Sequence, residues 1–103
     1  MSTPRYCSGM GRDIQVQWAI AKVMREARKK AGLTQVQLAD FAGLSAAFVS
    51  DIERGLIGVS IAALLQLADV LKVDGAELMR RIEQEARRGP AEPEPVTGSP
   101  RKV

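Results

Sequence analysis

The residues of this chain that could carry covalent or metal chemistry are few and poorly placed for it. Among 103 residues there is a single cysteine, Cys7, and no histidine. A lone thiol cannot close an intrachain disulfide, and a zinc site would have to be built from carboxylates alone. Cys7 lies among small, turn-prone residues near a chain end and is given no role. No glycine-rich phosphate loop is present and no nucleophile is paired with a base, so neither an enzyme nor a cofactor is expected. What the polar residues can do is recognise. Thr34, Gln35, Ser45, Ser50, Asp51 and Arg54 put hydroxyls, an amide, a carboxylate and a guanidinium into one short stretch. Such groups hydrogen-bond and pair with charge.

Net charge says less than it first promises. The formal charge is +3 and the pI about 9.4, but counting from Arg12 to Glu85 gives ten basic and ten acidic residues. The excess sits towards the chain ends and in one cluster, Lys22, Arg25, Arg28, Lys29 and Lys30, which by itself reads more as a solvated helix face than as a binding site. Apolar residues make up 46 % of the chain, and no run approaches the roughly 18 that a transmembrane helix needs. Met1 to Gly11 lacks the apolar region of a secretory signal, so a cytoplasmic setting is expected.

Recognition groups need elements to hold them, and here the punctuation is legible. Residues 1–12 and 88–103, which hold every proline, are expected to form flexible tails. Between them the spacing predicts helices throughout and no strand. Helix 1 is expected from Asp13 to Ala31, with Val16, Ile20, Val23, Met24, Ala27 and Ala31 recurring at three and four residues, and Gly32 as its left-handed cap. Thr34 and Gln37 form a T-x-x-Q capping box opening helix 2 at Gln35. Gly43 ends that helix early, and Ser45 caps helix 3, Ala46 to Arg54, closed by Gly55. After a loop from Leu56 to Val59, Ser60 caps helix 4, which carries Ile61, Leu64, Leu65, Ala68 and Leu71. Asp74 and Glu77 read as a second capping box, opening helix 5 with Leu78, Met79 and Ile82.

Two short helices joined by a glycine-containing turn can project the second helix into a DNA major groove. Ala39 is small where the helices approach, and Gly43 permits positive φ in the turn. Val49 and Ile52, three apart, face inward and leave Ala46, Ala47, Ser50 and Asp51 facing out.

In these residues Val23 to Leu78 resembles the Cro and lambda-repressor type of helix-turn-helix domain. The resemblance is carried by Met24-Arg25, Arg28, Gly32-Leu33-Thr34-Gln35, Leu38-Ala39, Gly43-Leu44-Ser45, Val49-Ser50, Ile52-Glu53-Arg54-Gly55, Ser60, Leu64, Ala68, Leu71 and Leu78. It implies an all-α, compact five-helix DNA-binding domain over residues 13–87, with its helix-turn-helix unit at 35–54. It implies that Gln35, beside Thr34 at the start of helix 2, bonds a phosphate, and that Arg54 lies beside another. It places Ser45, Ala46, Ala47, Ser50 and Asp51 nearest the base edges, and it pairs Arg28 with Glu53 as a structural ion pair. The expected partner is double-stranded DNA, bound by a transcriptional regulator acting as a repressor or autoregulator.

The reading surface departs from the family habit. Ala46 and Ala47 stand where relatives often carry glutamine, arginine or asparagine, whose bidentate contacts are worth about 1–3 kcal/mol of discrimination. Asp51 can accept from a cytosine amino group but is repelled by phosphates. Leu56, Ile57 and Gly58 replace basic or amide residues. With Val36, Phe41 and Met79, they give more exposed apolar surface than a small core explains, while Trp18 reads as core or dimer packing. A homodimer through Met79 and Ile82 is expected, reading a palindromic operator. A protein-interaction module on the same fold, such as an antitoxin-like partner, is the alternative.

Overall fold

A computed structural model of the chain describes residues 11–88, and Cys7 and most of both expected tails lie outside them. Five helices follow one another: α1 (Gly11–Ala31), α2 (Gln35–Ala42), α3 (Ala46–Glu53), α4 (Ile61–Leu71) and α5 (Gly75–Arg87). The described part is all-α. α1 packs along α5 and against α3, and α2 lies between α3 and α4.

The stops and starts follow from local chemistry. Gly32 takes φ 76 at the end of α1, where a side chain would be strained. The Thr34 hydroxyl accepts from the Gln37 amide at 3.0 Å, and the Gln37 side chain accepts from the Thr34 amide at 2.9 Å. That box fixes the first residue of α2. Gly43, at φ 73, ends α2 with its N–H donating to the Ala39 and Asp40 carbonyls, and Leu44 turns back through a bond to the Ala39 carbonyl. Ser45 and Ser60 cap α3 and α4 through their hydroxyls, at 3.0 and 3.1 Å.

α2 and α3 have eight residues each, below the length of about 12 at which an isolated helix persists. Packing supplies what length cannot. Leu38, Ala39 and Ala42 of α2 meet Val49 and Ile52 of α3 in one core with Ile20, Val23, Met24 and Ala27 of α1. Leu38, Ile52 and Met24 are essentially sealed from solvent, and each contributes about 1.5–3 kcal/mol.

Two expectations about side-chain direction, at Ile82 and Ile57, are corrected, and the direction of α4, open in the sequence, is settled. Ile82, expected beside Met79 at a subunit contact, is only 5 % exposed and belongs to the core, because α5 turns its Leu78-Ile82-Ala86 stripe inward. Ile61 and Leu65 on α4 face solvent, since the core is filled by Ala63, Leu64, Leu67, Ala68 and Leu71. Ile57 is half-buried and packs on the core.

The second capping box is also absent: Asp74 makes no side-chain cap. Glu77 instead turns to Arg80 and Arg81, one turn downstream. These bonds to cations outcompete a reach back to a neutral amide. The Arg81 hydrogen bond, with Arg80 beside it, holds the Glu77 carboxyl below the usual glutamate range.

Candidate nucleic-acid interface

The outer face of α3 is built by what its inner face buries. Val49 and Ile52 point into the core and Glu53 is 3 % exposed, which turns Ala47, Ser50 and Asp51 outward. Ala47 is exposed, and Ser50 and Asp51 are half-exposed. Ala46 is less outward than expected, being half-buried against the core together with Phe48. Ser45 is exposed, its hydroxyl oxygen engaged by the Phe48 amide. The Asp51 carboxylate stands 3.9 Å from the Arg54 guanidinium, a loose surface pair.

At the other end of the unit, helix geometry leaves the Gln35 and Val36 amides of α2 without intrahelical acceptors. With the helix dipole they form a weakly positive surface suited to an anion. Thr34 beside them is exposed. The exposed Lys29 and Lys30, in the last turn of α1, are the nearest cations before them in the chain. Neither α2 nor α3 carries a basic residue, Arg54 being the cap of α3.

The two ends are joined through Glu53. Arg28 donates from Nε to Glu53 Oε2 at 2.7 Å and from Nη2 to Oε1 at 2.9 Å, a bidentate fork. Its Nη1 also holds the turn between α1 and α2 by donating to the Leu33 carbonyl at 2.9 Å. Arg25 Nη1 donates to the Glu53 carbonyl at 2.9 Å, holding the last residue of α3. Gln35 Nε2 donates to Glu53 Oε1 at 3.1 Å. One carboxylate and its carbonyl thus fasten α1, α2 and α3 together.

Sequence reasoning grouped Arg25 with the solvated basic cluster and missed its bond to α3. The available signal was its three-residue spacing from Arg28, which puts both on one face of α1. The bond between Gln35 and Glu53 had no local signal.

A family profile described as a helix-turn-helix domain matches residues 19–81. Among solved structures, that of the clp gene regulator ClgR from Corynebacterium glutamicum is similar with a TM-score of 0.65 and 24 % identity, covering 69 % of this chain and 76 % of that one. A second ClgR structure gives a TM-score of 0.64 at 24 % identity, covering 69 % and 91 %. An HTH_3 family transcriptional regulator from Vibrio cholerae is similar with a TM-score of 0.64 and 29 % identity, over 70 % of this chain and 40 % of that one. A comparison with curated proteins gives no match. At 24 % identity the ClgR likeness shows the fold alone. The profile match runs over more than half of the sequence, and the chain belongs to the family of helix-turn-helix domains.

Proposed function

We propose that the protein is a sequence-specific regulator of transcription that binds double-stranded DNA with α3 in the major groove. The observation that carries this reading is the disposition of one short unit. A solvent-facing strip of α3 (Ala47, Ser50, Asp51) is held in fixed relation to the open N-terminus of α2 by Glu53, which takes the Arg28 fork from α1 and the Gln35 amide from α2. Phosphate contacts at Thr34, Gln35 and Arg54 would set the register, and Ser45, Ala46, Ala47, Ser50 and Asp51 would meet the bases. Titration of labelled duplex from the region upstream of its own gene tests it. A complex that survives excess unrelated DNA at physiological salt supports the reading, and purely salt-sensitive, sequence-blind binding overturns it.

A homodimer acting as a repressor or autoregulator is the finer form of the proposal, and its contact face moves from where the sequence suggested. Leu56, Ile61, Leu65 and Met79 are the apolar side chains that α5 and the α3–α4 region leave exposed. Ile61 and Leu65 share a face of α4 one turn apart, and Leu65 lies against Gly75, itself one turn before Met79 on α5. A twofold contact here begins next to the end of α3, and a palindromic site would require it to set two reading helices about 34–36 Å apart.

A protein-interaction role is favoured by a different feature. Phe41, 66 % exposed, edges a groove of about 540 Å³ lined by Leu33, Val70, Leu71 and Lys72, away from the strip on α3.

A further inference from the structure

We infer that Glu53 is a positioning residue for Gln35, fixing the amide that contacts a DNA phosphate, so that the last residue of the reading helix sets the grip of the helix before it. The inference deepens the DNA-binding reading above and rests on it.

The acceptor side of the contact is immobile. Glu53 is 3 % exposed, and both its carboxylate oxygens are held by Arg28, at 2.7 and 2.9 Å. Arg28 is itself tied to the Leu33 carbonyl, and Arg25 holds the Glu53 carbonyl. Oε1 still has lone-pair capacity after receiving Arg28 Nη2, and it takes Gln35 Nε2 at 3.1 Å.

A primary amide carries two N–H bonds at a fixed angle in one plane. Committing one to an immobile acceptor therefore fixes the direction of the other. The second N–H has no partner among the described residues, and Gln35 is half-exposed at the first position of α2, beside the open backbone amides. Without Glu53 the side chain could present its carbonyl oxygen, which a phosphate repels. The carboxylate adds no net repulsion of its own, because the Arg28 fork neutralises it.

The test is a double-mutant cycle of Gln35→Ala and Glu53→Asp in the full chain, read as affinity for a short mixed-sequence duplex at low salt. Aspartate keeps a charge opposite Arg28 but draws the shared carboxylate back by a methylene from both Arg28 and Gln35. Urea melts therefore accompany the cycle, and affinities are compared where all four proteins are folded. Each single variant is expected to bind about three- to tenfold more weakly. The double variant should bind no more weakly than Gln35→Ala alone. The salt slope should stay unchanged, since a neutral amide displaces no counterion. Losses that multiply, or a Gln35→Ala variant that binds like the unaltered chain, overturn the positioning role while leaving DNA binding intact. An unaltered chain that binds no duplex overturns the DNA-binding reading and this inference with it.

Should Glu53→Asp fail to fold, side-chain amide NMR of the unaltered chain decides. One Gln35 Nε2 proton is expected to be protected in the free protein, and the other to shift when duplex is added. A pair that exchanges freely, or that duplex leaves unmoved, overturns the inference.

Discussion

Replacing Arg28 by methionine keeps a side chain of similar length on α1 but removes three hydrogen bonds: two to the Glu53 carboxylate and one to the Leu33 carbonyl. The Arg28 side chain is 13 % exposed and that of Glu53 3 %, so little water can reach the carboxylate to replace what is lost. Removing one partner of a pair this well buried costs about 3–5 kcal/mol, most of it from the stranded charge. A domain the size of residues 11–88 has roughly 4–12 kcal/mol in all. The variant should therefore lose about a quarter or more of its stability, and its thermal midpoint should fall by roughly 10–40 °C. Urea unfolding followed by far-ultraviolet circular dichroism measures this directly, with the slope against urea unchanged if the native state stays compact. The Arg28→Met, Glu53→Met double variant is the control. It leaves no stranded charge and should return to within about 2 kcal/mol of the unaltered chain. A single variant that loses less than about 1 kcal/mol, or a double variant less stable than the single, would refute the reasoning.

Four further outcomes follow from the same structure. Gly43→Ala should cost about 1–2 kcal/mol in urea melts although no atom blocks the new methyl group, because φ is +73 there. Lys72→Gly should stabilise by about 0.5–1 kcal/mol in the same assay, since Lys72 ends α4 at φ 61, where glycine is free of Cβ strain. Leu65→Asp should leave the fold intact, as Leu65 is exposed. In sedimentation equilibrium it should abolish any dimer, whereas a dimer that survives both Ile61→Asp and Leu65→Asp excludes this face. Glu77 should titrate by carboxyl NMR below an unpaired glutamate, and Arg81→Ala should move it upward. Because its folded value is depressed, what it adds to stability is present above the ordinary glutamate range and fades as pH falls through the folded value; melts that gain stability on that descent contradict the pairing.

What the sequence revealed were the local devices. Thr34 with Gln37, Ser45, Ser60, Gly32 and Gly43 each act through bonds or dihedrals within four residues, and each stands where its chemistry required. The helix faces were harder. α4 is apolar nearly all round, so periodicity could not decide whether Ile61 and Leu65 or Ala63 and Leu67 faced inward, and packing on α2 and α5 settled it. α5 has a single apolar stripe, but whether Ile82 closed the core or met another chain depends on α1. The Asp74 box lost its return half because the Glu77 side chain had stronger partners in Arg80 and Arg81, and nothing in the structure explains why the Asp74 side chain makes no cap. In the interface, the outward strip of α3 was legible by subtraction from Val49 and Ile52. The bond between Gln35 and Glu53, 18 residues apart, exists only once α2 and α3 are docked.

The central claim is that α3 reads base sequence in duplex DNA, and the most direct measurement is selection of bound duplexes from a random pool at physiological salt. The expected result is enrichment of one motif, in two half-sites about 34–36 Å apart if the chain acts as a dimer, with the preferred bases altered by Ser50→Ala or Asp51→Ala. A pool that returns without a motif, or one whose motif ignores both substitutions, would contradict it.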